Sequence, residues 1–473
     1  MTFDKREFMV LWQTLWHLLL RLRPSFSRTR TFLWFSVVVA GFCARRDPAG
    51  VTSFVRALGL KDACYDRMLD FFHSGGIKLE KLTALWTTVV LQNMPICRVN
   101  GRLLLVADGI KVPKEGKQMP SVKCLHQESQ SNSKPEYIMG HSCQALAVLV
   151  ASGCHITAVP LISRICEGIV LSNRSTRTLL DKLLGMVHAL HLEQPFYLIA
   201  DAYYASRGMV RDLLRSGNHL VTRARTNSVA YAQPQQAKVK RRGRKRLYGD
   251  KIKLRTRFQD TTTFVECRSP IYDEQNVILR YLVLDLVWRP VGHLMRFVLV
   301  VHPTRGNIIL MSSDLTLSAV DVIKLYAWRF KIEVSFKQAV RSLGAYAYHF
   351  WSMYMRPIRR GSGNQYLHKT LVLHRAHILR KIAAYHAYIQ TGIIAQGLLL
   401  YLAVTKTALV WKSFGSWLRT IRPGILPTEQ VVMLALRNSL PDFLADSHEP
   451  SILQKFIRHN IDLERAEGAA LVA

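Results

Sequence analysis

The spacing of apolar and polar residues changes twice along the 473-residue chain. Residues 5 to about 95 repeat apolar side chains at helical intervals, as in "FMVLWQTLWHLLLRL" and "TFLWFSVVVAGF". A helix pair around Leu58-Gly59-Leu60 has the length of a helix-turn-helix. The pattern predicts a helical domain over residues 1–97, which we interpret as DNA-binding.

From residue 98 the pattern predicts an α/β core. The runs "RLLLVAD", "CQALAVLVAS", "HITAVPLIS", "FYLIAD" and "HLVTRART" predict strands, whereas "TLLDKLLGMVHALH" and "SRGMVRDLLRSG" predict helices. Three strands followed by helix, strand, helix and strand are typical of an α/β fold with a mixed central sheet. We place the first part of this core at residues 98–230 and its second part at 313–362.

A β-rich segment over residues 231–312 separates the two parts of the core. Apolar runs such as "VILRYLVLDLVW" and "LMRFVLVV" predict strands there, and we interpret the segment as an inserted sheet. It also carries the basic run "KVKRRGRKR", which favours DNA contact through Arg241, Arg242 and Arg244. After it, a long helix is predicted from about 317 to 343, followed by a C-terminal helical region over 363–473.

The charge of the chain indicates a polyanionic partner. Lys and Arg number 65 against 32 Asp and Glu, which gives a formal charge of +33. Such a balance favours nucleic acid, with a basic membrane-surface protein as the alternative. The stretch most like a membrane span, residues 31–44, is shorter than the roughly 20 residues that a spanning helix needs. We therefore expect no membrane partner. The eight cysteines form no C-x-x-C pair, so we expect reduced thiols in a cytoplasmic protein.

Two acidic residues follow buried strands directly. Asp108 ends "LLLVAD" and Asp201 ends "FYLIAD", and ligands of α/β folds bind at such strand ends. The ordinary alternative is that each acid begins a turn or caps a helix. Because that alternative fits either acid alone, a third acidic residue is needed to distinguish a ligand site from an ordinary turn or helix cap.

The third acid is Glu333, in "YAWRFKIEVSFKQ". In a helix, Tyr326, Arg329, Glu333, Lys337 and Arg341 fall within roughly 120° of arc and form one polar face. The alternative is a plain amphipathic helix in which Glu333 pairs with its basic neighbours one turn away. Three carboxylates at one sheet edge would need cations between them, and hard oxygen ligands suit Mg²⁺ or Mn²⁺. Two such ions support phosphoryl transfer, and the basic charge indicates that the phosphoryl group belongs to nucleic acid.

These motifs resemble the DDE transposases of bacterial insertion sequences, in the group with the signature Y-x2-R-x3-E-x6-K. Tyr326, Arg329 and Glu333 match its first three positions, and "ADG" at Asp108 and "DAYY" at Asp201 resemble the first two acid motifs. The resemblance implies an RNase H-like core with a β-rich insertion between the second and third acids. It also implies that Asp108, Asp201 and Glu333 are catalytic and bind two Mg²⁺ ions, for which Mn²⁺ would substitute.

The resemblance further implies a function. A protein of this family binds double-stranded DNA at the terminal inverted repeats of a transposon, as a homodimer in the DNA complex. It cleaves at the element ends and joins the freed 3′-OH to target DNA, in the bacterial cytoplasm at the nucleoid. Tyr326 and Arg329 would hold phosphates near the cut. Two alternatives stay open: a nuclease that cuts without joining, and a non-catalytic DNA-binding regulator or inactivated relative.

The basic residues around the acids are less well fixed by the signature. Its final lysine falls on Val340, so either Lys337 or Arg341 would have to supply that contact. Arg223 and Arg225 alternate along "TRART", from which we predict two DNA contacts on one strand face.

Overall fold

A computed structural model describes most of the chain. The described residues are 5–127, 135–234, 246–260, 262–271, 274–415, 421–446, 448–465, 468 and 470–471. Arg241, Arg242 and Arg244 of the basic run lie outside these ranges, so their predicted DNA contact stays a prediction.

Helices and strands alternate in the order expected of an α/β core between two helical regions. The α-helices of the described residues are α1 (Lys5–Leu20), α2 (Thr29–Ala44), α3 (Thr52–Ala57), α4 (Ala63–Phe72), α5 (Leu79–Asn93), α6 (Leu179–His188), α7 (Arg207–Arg215), α8 (Ala319–Trp328), α9 (Lys331–Gln338), α10 (Val372–Thr405), α11 (Thr407–Phe414), α12 (Glu429–Ala445) and α13 (Ile452–Asn460). The strands are β1 (Arg98–Val99), β2 (Arg102–Pro113), β3 (Lys123–His126), β4 (Tyr137–Ser152), β5 (His155–Ile165), β6 (Ile169–Val170), β7 (Phe196–Ala200), β8 (His219–Arg223), β9 (Val229–Tyr231), β10 (Lys251–Lys253), β11 (Val265–Arg268), β12 (Ile278–Trp288), β13 (His293–His302), β14 (Gly306–Ser312) and β15 (Gln365–Tyr366).

The centre of the sheet is a mixed five-stranded unit, which confirms the predicted α/β fold with a mixed sheet. Its spatial order is β5-β4-β2-β7-β8. Strand β4 is antiparallel to both of its neighbours, β5 and β2, and β7 and β8 run parallel to β2. The buried strands read as nearly continuous apolar runs, as expected where both faces of a sheet are covered. Helices α6 and α7 begin at the side-chain caps Thr178 and Ser206.

The strands of the β-rich segment do not form a separate inserted sheet, which corrects that part of the prediction. Strand β14 pairs antiparallel with β8, and β13, β12, β9 and β10 continue the order outward. Together with the centre and with β1, β3 and β11, they form one sheet of 13 strands within the described residues. Without β14, strand β8 would expose a row of unpaired backbone N–H and C=O groups, and the pairing removes that edge. The segment is β-rich, as predicted, but it extends the core sheet.

The N-terminal and C-terminal helices share one hydrophobic core. Trp12 of α1 donates from Nε1 to the Leu436 carbonyl of α12 at 2.9 Å, and Trp34 of α2 packs edge-on against Phe456 of α13. Helix α10 packs on both α2 and β5. DNA binding by residues 1–97 stays a prediction.

Among the described helices, α10 passes a test of length and composition for a membrane span, with a mean hydropathy of 1.5 in its most apolar window. However, 89% of that window is buried inside the protein. Because its apolar surface is already covered by protein, α10 is best described as a core helix.

Candidate active site

Asp108 and Asp201 emerge side by side from the sheet. Strands β2 and β7 are parallel, and Val106 pairs with Ile199. Each acid lies two residues past that pair, so both lie at the same level of neighbouring strands: Asp201 directly follows the end of β7, whereas Asp108 lies within β2, which continues to Pro113. The Thr222 hydroxyl on β8 donates to the Asp201 carbonyl oxygen at 2.9 Å, which fixes the chain just after β7. The strand-end position expected for the two acids is therefore present for Asp201. It is wrong for Asp108, because β2 continues beyond this acid by pairing with β4.

Glu333 lies on α9, after a break in the predicted long helix. The helix expected over 317–343 is divided into α8 and α9 by a tighter turn at Arg329 and Phe330, and it ends in a π-helical turn, Ala339–Leu343. At the break, the Glu333 N–H donates to the Phe330 carbonyl three residues earlier, at 3.0 Å. Helix α8 packs on β7, β8, β13 and β14, whereas α9 packs on β2 and β5. The two helices therefore lie on different strands of the same sheet.

Two residues of the signature hold the three carboxylates. Arg329 donates from Nη1 to Asp108 Oδ2 at 2.9 Å and from Nη2 to Glu333 Oε1 at 2.6 Å. The Tyr326 hydroxyl donates to Asp201 Oδ1 at 3.1 Å. The structure thus brings together the five residues Asp108, Asp201, Tyr326, Arg329 and Glu333. The Glu333–Arg329 pair of the plain-helix alternative is also present, but its guanidinium is shared with Asp108 on β2.

The electrostatics of the cluster follow from partial burial. Burial raises the pKa of Asp108, an effect that the Arg329 guanidinium opposes and the Glu333 and Asp201 carboxylates reinforce. Burial lowers the pKa of Arg329, but the carboxylates around it more than offset this, so its net pKa is raised. Burial and the Asp201 charge raise the pKa of Tyr326, which keeps its hydroxyl a hydrogen-bond donor. The Glu333 side chain is 54% exposed, so the cluster is open to solvent on that side.

The other predicted basic contacts are divided between the site and the surface. Arg223, the last residue of β8, is close enough to Tyr326 for its charge to lower the pKa of that hydroxyl. Arg225 lies beyond the end of β8 and is exposed, so the two arginines do not alternate along one strand as predicted. Lys337 and Arg341 are both exposed, and within the described part of the chain neither contacts the three carboxylates.

Val340, where the signature expects lysine, faces a cavity instead of the acids. The cavity has a volume of about 530 Å³ and lies between the N-terminal helices, the end of β2 and the segment after α9. Lys114 lies in the same cavity, and its Nζ donates to the Tyr346 carbonyl and, at 3.0 Å, to the Tyr348 carbonyl. Burial lowers the pKa of Lys114 to about 8. Its hydrogen bonds make Lys114 a structural residue here.

Two residues near Asp108 were not selected from the sequence. Tyr204 is 3% exposed, and burial followed by the Asp108 charge raises its pKa. Gln144 on β4 pairs with Gly109 and is 3% exposed. A signal for each exists in the sequence: Tyr204 completes the D-x-x-Y spacing after Asp201, and Gln144 is a polar residue at the start of the apolar run "ALAVLV".

The donor set of the cluster fits a hard divalent cation by chemical type, since all three acids supply carboxylate oxygens. Within the residues that the structure describes, no three acidic, histidine or cysteine side chains are close enough together to hold a metal ion. Asp108 and Glu333 share the Arg329 guanidinium instead, and this guanidinium is the positive charge that neutralises them. A metal ion would therefore have to compete with Arg329.

Comparison with known proteins places the chain in a family. Among solved structures, a piggyBac transposase in a synaptic complex with hairpin DNA is similar at 11% identity and a TM-score of 0.34, covering 94% of this chain and 77% of that one. That likeness is too distant to establish a common fold, and no curated protein matches the chain. The family model described as DDE superfamily endonuclease matches residues 21–269, which is more than half of the chain and includes Asp108 and Asp201. The chain therefore belongs to the DDE superfamily endonuclease family.

Proposed function

We propose that this protein is a DNA transposase of the bacterial insertion-sequence type with an RNase H-like catalytic core. It would bind the terminal inverted repeats of its element, cleave at the element ends and join the 3′-OH to target DNA. The observation that carries the proposal is the shared contact of Arg329 with Asp108 and Glu333, beside the Tyr326–Asp201 hydrogen bond. Residues far apart in the sequence meet at one sheet edge, in a family of endonucleases.

Asp108, Asp201 and Glu333 are the proposed holders of two Mg²⁺ ions, with Mn²⁺ as a substitute. When bound, such ions activate the attacking oxygen and stabilise the leaving oxygen of a phosphoryl transfer. Asp108 and Asp201 are fixed by the sheet, whereas Glu333 is more exposed and lies on the separate helix α9. This division suits a site in which two ligands are rigid and the third adjusts to the DNA.

Arg329 is proposed to change partners during the reaction. Its guanidinium holds Asp108 and Glu333 in this structure, and a guanidinium also binds phosphate in the same two-pronged way. A DNA phosphate entering the site would offer Arg329 a second anion and release the two carboxylates. Tyr326 and Arg223, which lie beside Asp201, would contact the same stretch of DNA backbone.

The proposed partner is double-stranded DNA, and the proposed assembly on it is a homodimer. The formal charge of +33 supports the first proposal, because phosphate neutralisation releases counterions. The bacterial cytoplasm, at the nucleoid, is the corresponding proposed location.

The experiment is cleavage of a DNA fragment that carries the element's own ends, in Mg²⁺, followed by a strand-transfer assay with plasmid target. The wild-type protein should cut and join, and Asp201→Ala should do neither. Asp212→Ala is the matched control, because Asp212 pairs with His188 at the surface. Equal cleavage by wild type and Asp201→Ala would exclude the proposal, and cutting without joining would indicate a nuclease.

The pairing of Arg329 with both Asp108 and Glu333 favours one second candidate function, that of a non-catalytic DNA-binding regulator. If Arg329 never left Asp108 and Glu333, the carboxylates would stay neutralised and the protein would bind DNA without cutting it. Binding of Mn²⁺ separates the two candidates, because the regulator would bind none at these residues.

A further inference from the structure

The segment that joins the π-helical turn to α10 has an unusual composition. The chain has no aspartate or glutamate from Val334 to Thr428. Residues 351–373, here called the connector, combine exposed basic and exposed apolar side chains. The exposed basic residues are Arg356, Arg359, Arg360 and Lys369. The large exposed hydrophobic residues, with their exposed fractions, are Trp351 (67%), Met353 (80%), Tyr366 (52%), Leu371 (70%), Val372 (78%) and Leu373 (64%).

The backbone of the connector is fixed to the catalytic core. The Ser352 N–H donates to the Gln118 carbonyl at 3.0 Å, and the Ile358 N–H donates to the Lys117 carbonyl at 2.7 Å. Further along, β15 pairs with β6. Beneath it, Met355, Leu367 and Ile378 form a small buried cluster. Some apolar side chains of the connector therefore pack inward, while Trp351 and Met353 are held outward by an anchored backbone.

The connector lies within reach of DNA that passes the three acids. Gly140 on β4 pairs with Pro113 on one side and with Lys123 on the other, and the Cys124 N–H donates to the Ser362 carbonyl of the connector. Lys123 lies five residues further along the sheet than Asp108 and two strands away from it. These two displacements together give a distance of about 20 Å between the two residues. At about 3.4 Å per base pair, that is roughly six base pairs of a duplex.

Charge decides which partner fits this surface. A second copy of the chain bound through the same surface would bring like charges face to face, because the connector has no acidic residue of its own. A polyanion has the complementary charge. Exposed arginines suit phosphates, and exposed aromatic and aliphatic side chains suit the faces or steps of bases, a combination found where proteins grip DNA and wedge into it.

We propose that the connector is a DNA-contact surface of this protein, separate from the catalytic cluster. Arg356, Arg359 and Arg360 hold phosphates on one side of the cleavage site, and Trp351 contacts bases. The inference rests on the proposed function, since it places the same DNA on a second surface about six base pairs from the cut.

The test is DNA affinity of the full-length protein as a function of salt, measured by fluorescence anisotropy with a labelled duplex of arbitrary sequence. EDTA is present, so the result does not depend on metal chemistry. The triple variant R356A/R359A/R360A should reduce the slope of log affinity against log salt by about 2.7 and weaken binding by about tenfold or more. Trp351→Ala should weaken binding by about tenfold while leaving the slope unchanged, because stacking is not electrostatic.

The matched control is the triple variant R98A/R215A/R289A. These arginines are also exposed, but they lie at the opposite, amino end of the parallel strands. The control should change neither the slope nor the affinity by more than about twofold. Circular dichroism on all variants confirms that the proteins are folded.

The possible outcomes separate the two proposals. If the wild-type protein binds no DNA, the proposed function fails together with the surface. If the wild type binds and R356A/R359A/R360A behaves like the control, the connector proposal is wrong and the proposed function stands. The connector proposal is also overturned if R356A/R359A/R360A loses binding to phosphatidylglycerol vesicles but keeps its affinity for DNA. It is overturned as well if Trp351→Ala leaves DNA affinity unchanged and alters only the self-association of the free protein, measured as its mass in light scattering.

Discussion

The carboxylate cluster, formed by Asp108, Asp201 and Glu333, and the connector use arginine in opposite ways. In the cluster, one guanidinium lies 2.9 Å from Asp108 and 2.6 Å from Glu333, and it is mostly buried. In the connector, Arg356, Arg359 and Arg360 are exposed in a stretch without acids. A paired, buried charge fixes the geometry of its partners, whereas an exposed and unpaired charge is available to a ligand. The difference predicts that variants of the cluster change chemistry and variants of the connector change DNA affinity.

The largest expected effect is on cleavage by the cluster. Asp108→Asn removes a proposed metal ligand without changing the shape of the side chain, so cleavage of end-containing DNA should fall by about a thousandfold or more. The measurement is the rate of cleavage at saturating DNA. In the same assay R356A/R359A/R360A should mainly raise the DNA concentration needed for half-maximal cleavage. A comparable loss of the rate at saturation in both variants would remove the distinction between the two regions.

Acid stability tests whether the two regions belong to one folding unit. Helix α10, which begins in the connector, carries the buried His386, and the Ile165 N–H on β5 donates to its Nε2 at 3.2 Å. Burial, followed by the Arg164 charge, lowers the pKa of His386 to about 3. Below pH ~6.5 the unfolded chain binds a proton that the folded state does not, so stability falls as the pH falls.

The expected loss at pH ~5 is about 2 kcal/mol of unfolding free energy from this histidine. His386→Gln should reduce the pH dependence of the unfolding free energy by that amount, as measured by urea denaturation. If tryptophan fluorescence and circular dichroism gave separate transitions, the two regions would not unfold as one unit. An unchanged pH dependence in His386→Gln would show that this histidine is not buried in its neutral form.

Arg329→Ala tests the exchange of partners in the cluster. Without the guanidinium, Asp108 and Glu333 lose the cation that competes with metal, so Mn²⁺ affinity without DNA should rise by about tenfold. DNA affinity in EDTA should fall by a similar factor, because a proposed phosphate contact is lost. Arg296→Ala, which breaks the remote pair with Asp285, is the control and should change neither affinity. A drop in Mn²⁺ affinity in Arg329→Ala would mean that Arg329 only positions the carboxylates.

The smallest expected effect is on DNA affinity, when Lys337 or Arg341 is replaced. Either residue would have to supply the contact of the lysine that the signature expects at Val340. Lys337 lies one turn after Glu333 on the regular helix α9, whereas Arg341 follows in the π-helical turn. Lys337→Ala should therefore weaken DNA binding by about threefold and lower the salt slope by about 1. Arg341→Ala should have less effect in the same titration. The reverse order would indicate that DNA leaves the site along the π-helical turn.

The sequence predicted the strands of the core well, because buried strands are continuous apolar runs. Asp108 and Asp201 were located by the same runs, since an acid after an apolar run is conspicuous, but the continuation of β2 beyond Asp108 to Pro113 was not predicted. The helix over 317–343 was not predicted correctly, because its apolar periodicity continues through the turn at Arg329 and does not show that its two halves pack on different strands. The separate inserted sheet was wrong for a related reason: strand patterns do not reveal which strands pair.

Contacts between distant residues were harder to predict. The contact of Arg329 with Glu333 follows from helical spacing, but its contact with Asp108 depends on how α8 and α9 lie across β2. The cavity beside Val340 and the buried Lys114 depend on packing between three parts of the chain, for which one sequence carries no signal. Tyr204 and Gln144 were visible as polar residues in apolar surroundings, although their place beside Asp108 was not.

The central claim is that Asp108, Asp201 and Glu333 together hold divalent metal when DNA is bound. Isothermal titration calorimetry with Mn²⁺, on the protein bound to a duplex of the element's end, tests it most directly. The wild-type complex should bind Mn²⁺, Glu333→Gln should bind it at least about tenfold more weakly, and the exposed control Glu193→Gln should match the wild type. Equal Mn²⁺ affinity in the wild type and Glu333→Gln would contradict the claim.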